Sequence, residues 1–221
     1  MTIFCKGPAV GMAAAVAIIL LSNNAGFASE YAHVTDPEAC FDGKDRSPDE
    51  QIAACLKGLN SHMLNRNGVA LALSNLSVAY RRKGDEDSAL AVLNAAIKLE
   101  GDTWQALVNR AGVYENLNKP DLALADLNRA VAIAPSEATC FRARGAIYLH
   151  EQKFDLAAAD FSQALANDPK DARSLFLRSE ARQRLGDGVG AAADLAAAKQ
   201  LDPNIERLGG AVQSKSTLSY E

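Results

Sequence analysis

Apolar and polar residues follow the spacing of amphipathic helices along most of the chain. Between Phe141 and Pro169, apolar or small residues recur at i, i+4 and i+7 in two successive runs, separated by the polar pair Gln152 and Lys153. Such a stripe lies on one face of an α-helix, so this stretch predicts two helices joined by a short turn. One pair of this kind cannot bury its own apolar stripe, so we expect it to pack against similar pairs.

The pattern repeats along the chain at a fixed period. Tyr80, Tyr114 and Tyr148 stand 34 residues apart, and each unit carries alanine at its positions 20 and 27. These alanines are Ala89, Ala96, Ala123, Ala130, Ala157, Ala164, Ala191 and Ala198. Small residues let two helices approach closely, so each unit predicts a helix-turn-helix repeat. The predicted repeats are 70–103, 104–137, 138–171 and 172–205.

The segment before the repeats predicts export. Lys6 is followed by an apolar run of 13 residues, 9–21, and then by small residues that end at Ala28. The run is too short to span a bilayer and matches the core of a secretory signal. We expect 1–28 to be a signal peptide that is cleaved after Ala28, which places the mature chain in the periplasm or outside the cell without membrane insertion. An uncleaved membrane anchor is the alternative.

The N-terminal extension, 29–67, contains a predicted capping helix. Ser47, Pro48 and Glu50 form the capping-box pattern that begins a helix, and the apolar residues that follow fall on one face. We expect this helix to cover the open apolar end of the first repeat. At the other end, 206–221 is predicted to be a polar tail without a full capping helix.

Two cysteines flank the start of the capping helix. Paired cysteines of exported proteins usually bond, so we predict a disulfide between Cys40 and Cys55. A metal site is the alternative, although no CxxC or HxxxH pattern accompanies them. Cys140 is left over, either as a small buried hydrophobic residue or as a free thiol for intermolecular pairing.

Charge and the missing catalytic patterns exclude several functions. The formal net charge is −4. Cleavage of 1–28 removes Lys6, which leaves 22 basic and 27 acidic residues and a charge of −5. The remaining sequence has no run of basic residues. Nucleic acid is therefore not expected as a partner. No phosphate loop, nucleophile elbow or metal spacing occurs, so we predict no enzyme activity, no metal and no cofactor. An enzyme with an unrecognised site is the alternative.

Two positions change together between the units. Position 7 is Leu76 in the first unit and arginine in the others, while position 23 is Val92 in the first and aspartate in the others. The later pairs are Arg110 with Asp126, Arg144 with Asp160, and Arg178 with Asp194. This predicts an ion pair between the two helices of each later unit. Independent solvated charges are the alternative.

These repeats resemble the tetratricopeptide repeat family, and the segment SPDEQIAACLKG resembles its secreted or periplasmic bacterial members. The resemblance implies an all-α solenoid of four helix-turn-helix units with an N-terminal capping helix. In the family, the first helices line a concave groove that binds peptides or partner proteins. The implied function is a non-enzymatic protein-binding scaffold of the bacterial envelope. The alternative is a structural subunit that self-associates through its poorly capped C-terminal end, and the oligomeric state stays open.

The resemblance also assigns groove positions, which carry five arginines and two acids. Arginine holds carboxylates through paired hydrogen bonds, so the implied partner is an acidic or polar peptide. A solvated face, balanced by Glu115 and Glu180, is the alternative. The residues expected to contact the partner are Arg81, Arg82, Gln105, Asn109, Arg142, Arg173, Phe176 and Arg184.

Overall fold

The computed structural model describes residues 40, 46–60, 64 and 66–208, and in these residues the chain is all-α, as predicted. The predicted signal segment 1–28 and residues 209–221 of the tail lie outside the described residues. The helices are α1 (Pro48–Asn60), α2 (Arg66–Lys83), α3 (Glu86–Glu100), α4 (Trp104–Asn116), α5 (Pro120–Ile133), α6 (Ala138–His150), α7 (Phe154–Asn167), α8 (Ala172–Arg184) and α9 (Gly188–Leu201), followed by a 3₁₀ helix at Ile205–Leu208.

The chain divides into two compact units within α4. The first unit runs to Val113 and the second begins at Tyr114. In the first unit α1 packs on α2 and α2 on α3, and in the second α6, α7, α8 and α9 pack in succession. These helices therefore bury their apolar stripes against their sequence neighbours, as expected for helix-turn-helix repeats.

A residue with positive φ follows the first helix of each repeat. These residues are Gly84 (81°), Asn118 (56°), Gln152 (58°) and Gly186 (85°). The next backbone N–H then donates to a carbonyl five residues earlier, as from Lys153 to Tyr148 at 2.8 Å. Glycine and asparagine tolerate this left-handed conformation well, which explains the polar and glycine turn signals at a fixed period.

The N-terminal capping helix is fastened to the first repeat. Ser47 and Glu50 form the predicted capping box, with Ser47 N donating to Glu50 Oε2 at 3.0 Å and Glu50 N to Ser47 Oγ at 3.3 Å. The predicted disulfide joins Cys40 to Cys55, both of which are buried. Asn75 on α2 donates to the carbonyl of Cys40 at 3.0 Å. The disulfide therefore holds residue 40 against α1, and the hydrogen bond from Asn75 holds it against α2.

Arginine side chains link the helices of the later repeats. Arg144 donates from Nε and Nη2 to the two carboxylate oxygens of Asp160, each at 2.8 Å, and Arg178 binds Asp194 in the same way at 2.8 and 2.7 Å. Two of the three predicted pairs are thus confirmed. Arg110 and Asp126 belong to different units, and their pairing stays a prediction.

A second contact of these arginines was not predicted. The Nη1 atom of each arginine donates to a side chain 16 residues earlier, on the second helix of the preceding repeat. The acceptors are Asn94 for Arg110 (2.8 Å), Asn128 for Arg144 (2.9 Å) and Ser162 for Arg178 (3.1 Å). All three acceptors occupy position 25 of their repeat, so each arginine also fixes the register between neighbouring repeats.

Candidate partner-binding surface

The predicted groove residues of the first unit lie on α2 and α4. Arg82 donates to Gln51 Oε1 at 3.0 Å and to the carbonyl of Arg46 at 3.2 Å, so it binds the capping helix and a residue two positions before that helix. Asn109 donates to Ser74 Oγ at 2.8 Å, which joins two successive first helices. Gln105 is exposed. In this unit, Arg82 and Asn109 thus have partners within the chain.

In the second unit, Arg142 also has an internal partner. Its Nη1 lies 2.6 Å from Asp171 Oδ2, and only 16% of the Arg142 side chain and 7% of the Asp171 side chain are exposed. Asp171 caps α8 by accepting from the backbone of Arg173 and Ser174, and it accepts from Ser174 Oγ at 2.6 Å. Arg142 therefore joins α6 to the start of α8, and its charge is balanced inside the chain.

The other residues of this unit that are predicted to contact the partner share one face of α8 with the acid Glu180. Arg173, Phe176, Glu180 and Arg184 stand at i, i+3, i+7 and i+11, and we call them the α8 face. Arg173, Phe176 and Glu180 are half-buried, and Arg184 is exposed. The guanidinium carbon of Arg184 lies 4.9 Å from the centre of the Phe154 ring, a cation–π distance.

The charge state of the α8 face depends on burial. Burial raises the pKa of the Glu180 carboxyl above its ordinary value, and the charge of Arg184 acts in the opposite direction. The face therefore offers guanidinium groups, a half-buried aromatic ring and a partly desolvated carboxyl within about three helical turns. Such a set can hold a peptide by hydrogen bonds and ring contacts.

In the part of the chain that the structure describes, no three His, Cys, Asp or Glu side chains are placed to hold a metal ion. Cys140 lies fully buried in α6, and burial, with a smaller contribution from Glu137, raises the pKa of its thiol to about 11. Because this thiol is buried and protonated, Cys140 fits the role of a small buried hydrophobic residue better than that of a thiol for intermolecular pairing.

Among the described helices, none combines the length and apolar character needed to cross a membrane.

Comparisons with known proteins agree on one fold. A family model described as tetratricopeptide repeat matches residues 69–138 and 142–204, more than half of the chain. No curated protein matches the sequence. Among solved structures, the chain is similar to MamA from Desulfovibrio magneticus RS-1, with 20% identity over 80% of this chain and 96% of that one, and a TM-score of 0.59.

Two further solved structures have comparable likeness. One is PilF from Pseudomonas aeruginosa, with 18% identity over 63% of this chain and 64% of that one, and a TM-score of 0.60. The other is YrrB, described as a TPR protein with an unusual peptide-binding site, with 19% identity over 76% of this chain and 84% of that one, and a TM-score of 0.54. At these identities the likeness shows the fold alone.

Proposed function

The chain belongs to the tetratricopeptide repeat family, and we propose that it is a non-enzymatic protein-binding scaffold of the bacterial cell envelope. Tetratricopeptide repeats commonly mediate protein–protein interaction, and YrrB carries a peptide-binding site according to its description. The partner is a protein or an extended peptide held on the first helices of the repeats.

The α8 face is the observation that carries this proposal. Phe176 contacts two clusters of the core and yet stays partly exposed, with Arg173 and Glu180 on either side of it along the helix. A half-buried aromatic ring next to an arginine is a composition typical of binding hot spots. It anchors a partner without ordering a flexible side chain, because the ring is already fixed by the core.

The chemistry of the partner follows from the arginines that face it. Arg142 pairs with Asp171, and Arg82 donates to Gln51, so these two arginines also have a structural role within the chain. In the second unit, Arg173 and Arg184 carry the preference for an acidic or polar peptide. The half-buried Glu180 between them favours a partner that brings a hydrogen-bond donor next to the acid.

An envelope location fits the N-terminal half of the chain. Residues 1–28 have the pattern of a cleaved signal peptide. The Cys40–Cys55 disulfide is of the kind that persists in oxidising compartments. We therefore propose a periplasmic or secreted protein.

Charge reversal on the α8 face tests the proposal. Arg173→Glu with Arg184→Glu should leave the helical content unchanged and weaken capture of partners from an extract of the organism's own envelope, most strongly at low salt. Bound proteins are identified by mass spectrometry, and helicity is checked by circular dichroism.

A matched control separates local charge from net charge. Lys153→Glu with Lys170→Glu makes the same change in charge at exposed turn positions of the same unit and should leave capture unchanged. Equal capture by both double variants and the unchanged chain would show that binding does not use the α8 face.

A further inference from the structure

Three residues of the α8 face form a row along the helix. Phe176, Glu180 and Arg184 stand at i, i+4 and i+8, and we call them the α8 ridge. Side chains at this spacing form one of the ridges on the surface of a helix. With a rise of about 1.5 Å per residue, neighbouring members of the ridge lie about 6 Å apart along the axis. The α8 ridge therefore presents an aromatic ring, an acid and a base at even spacing.

This spacing matches that of an extended peptide. An extended segment rises by about 3.3 Å per residue, and every second side chain points to the same face. Its side chains at i, i+2 and i+4 are therefore about 6.6 Å apart, so three of them can meet the three members of the α8 ridge one by one. A second helix, by contrast, places its own ridges between those of α8. The even spacing therefore favours an extended partner.

Arg184 is held in place before a partner arrives. Its guanidinium carbon lies over the Phe154 ring, 4.9 Å from the ring centre, and its charge acts on the carboxyl of Glu180. A ring contact of this kind does not use the N–H groups, which remain to donate to a carboxylate. A group that is already positioned loses little conformational freedom on binding. We therefore expect an acidic side chain of the partner to bind at Arg184.

Glu180 sets the charge that the partner brings to the middle of the α8 ridge. The side chain is half-buried, and among the described residues it accepts no hydrogen bond. A partly desolvated carboxylate attracts a cation more strongly than a fully hydrated one does. A second acid placed beside it is repelled. A run of acids is therefore disfavoured at this position, and a basic residue fits.

We propose that the α8 ridge selects an extended segment with the residue order apolar, any, basic, any, acidic, read in either chain direction. The apolar side chain packs on Phe176, the basic one pairs with Glu180, and the acidic one pairs with Arg184. This inference rests on the proposed function, because it assigns a residue order to the partner of the same surface. It narrows the expected acidic or polar peptide to one arrangement of charges.

Selection from a random peptide library tests this order without knowledge of the natural partner. Random heptapeptides displayed on phage are selected on the full chain, isolated after export and immobilised. The order apolar, any, basic, any, acidic should become enriched by about tenfold or more over its frequency in the unselected library. Enrichment of apolar, basic and acidic residues at a spacing of four instead of two would indicate a helical partner and would overturn the extended arrangement.

Exchange of the two charges of the α8 ridge is the matched control. Glu180→Arg with Arg184→Glu keeps the net charge, and it should reverse the enriched order to apolar, any, acidic, any, basic. Circular dichroism checks that the variant is as helical as the unchanged chain. The same enriched order from both chains, or no preferred charge order from either, would overturn the inference.

Phe154 is a positioning residue for Arg184 and gives a second test. A synthetic peptide with the selected order should bind Phe154→Leu about threefold or more weakly than the unchanged chain, as measured by fluorescence anisotropy. The same peptide with glutamine in place of its acid should bind both chains equally. Equal weakening of both peptides by Phe154→Leu would contradict the pairing of the acid with Arg184.

Failure of the order and failure of the proposed function give different results. If no order is enriched and yet Arg173→Glu with Arg184→Glu weakens capture from the envelope extract, the proposed function stands and the charge order is wrong. If the same double variant captures as well as the unchanged chain, the α8 face does not bind the partner, and both proposals for this surface fail.

Discussion

At the scale of single residues, Arg144 shows how one side chain joins three helices. It lies on α6, holds both carboxylate oxygens of Asp160 on α7, and donates to Asn128 on α5. The hydrogen bonds that Arg144 donates to Asp160 raise the pKa of the guanidinium above its ordinary value. Side-chain exposure is 19% for Arg144 and 9% for Asp160, so water screens the pair less than a surface pair.

The pair should show a measurable coupling free energy. A double-mutant cycle with Arg144→Ala and Asp160→Ala, followed by urea unfolding, should give about 1–2 kcal/mol, because the contact is bidentate and partly desolvated. The Lys83–Asp49 pair, with side chains 42% and 35% exposed, is the control and should give about 0.5 kcal/mol or less. Equal coupling free energies in the two pairs would contradict a stabilising role for the Arg144–Asp160 pair.

Cys140 makes a prediction about pH. Because its folded-state pKa is raised from its ordinary 9.0 to about 11, the folded chain keeps the thiol proton that the unfolded chain loses. The contribution of Cys140 to the free energy of unfolding is therefore fully present below pH 9.0 and is lost as the pH rises to about 11. Between these values the free energy of unfolding falls by about 1.4 kcal/mol per pH unit for one proton.

Comparison with Cys140→Ala isolates this effect. The free energy of unfolding of the unchanged chain should fall relative to the variant across that pH range, as measured by urea unfolding. Tyr80, whose pKa is raised to about 12 by burial and by Asp85, is present in both proteins and cancels in the difference. Parallel curves would mean that the thiol is accessible to solvent in the folded chain.

At the scale of the helix pair, the side-chain sizes at positions 8 and 24 are matched within a repeat. The third repeat has Gly145 and Phe161, whereas the second has Ala111 and Leu127. A Cβ atom on Gly145 would lie 2.9 Å from Phe161 Cε1 and 3.1 Å from Cδ1. The ring is fully buried and cannot turn away, so the larger ring requires the smaller partner.

This matching predicts a rescue. Gly145→Ala should destabilise the chain by about 1–2 kcal/mol despite the better helix propensity of alanine, because overpacking outweighs it. Adding Phe161→Leu, which reproduces the pair of the second repeat, should recover part of the loss. Gly188→Ala is the control, since a Cβ atom added to Gly188 on α9 would meet nothing within 4 Å, and it should be neutral or stabilising. Additive losses in the double variant, measured by thermal unfolding, would contradict the matching.

The sequence predicts helices and their pairing well for a physical reason. The same spacing occurs in four repeats, so one chain is enough to recognise the apolar stripes and the turns. It also shows pairs such as Arg144 and Asp160, whose positions change together between repeats. Contacts that occur once are not visible in this way. Arg142 with Asp171, and Arg82 with Gln51, join residues 29 and 31 apart without a repeated signature, and only the structure reveals that they engage predicted groove arginines.

At the scale of the whole molecule, the α8 face is the surface to which we assign the partner. It offers guanidinium groups and an aromatic ring, which suit a peptide or protein. The sequence points to this surface through the family resemblance.

Site-specific photo-crosslinking tests the proposed scaffold function most directly. A photoreactive phenylalanine analogue at Phe176, introduced in the organism's own envelope, should give a covalent adduct with a different protein, identified by mass spectrometry. The same analogue at Leu156, which is exposed on the second helix of the third repeat, should give none. Adducts at Leu156 and none at Phe176 would contradict binding on the first helices.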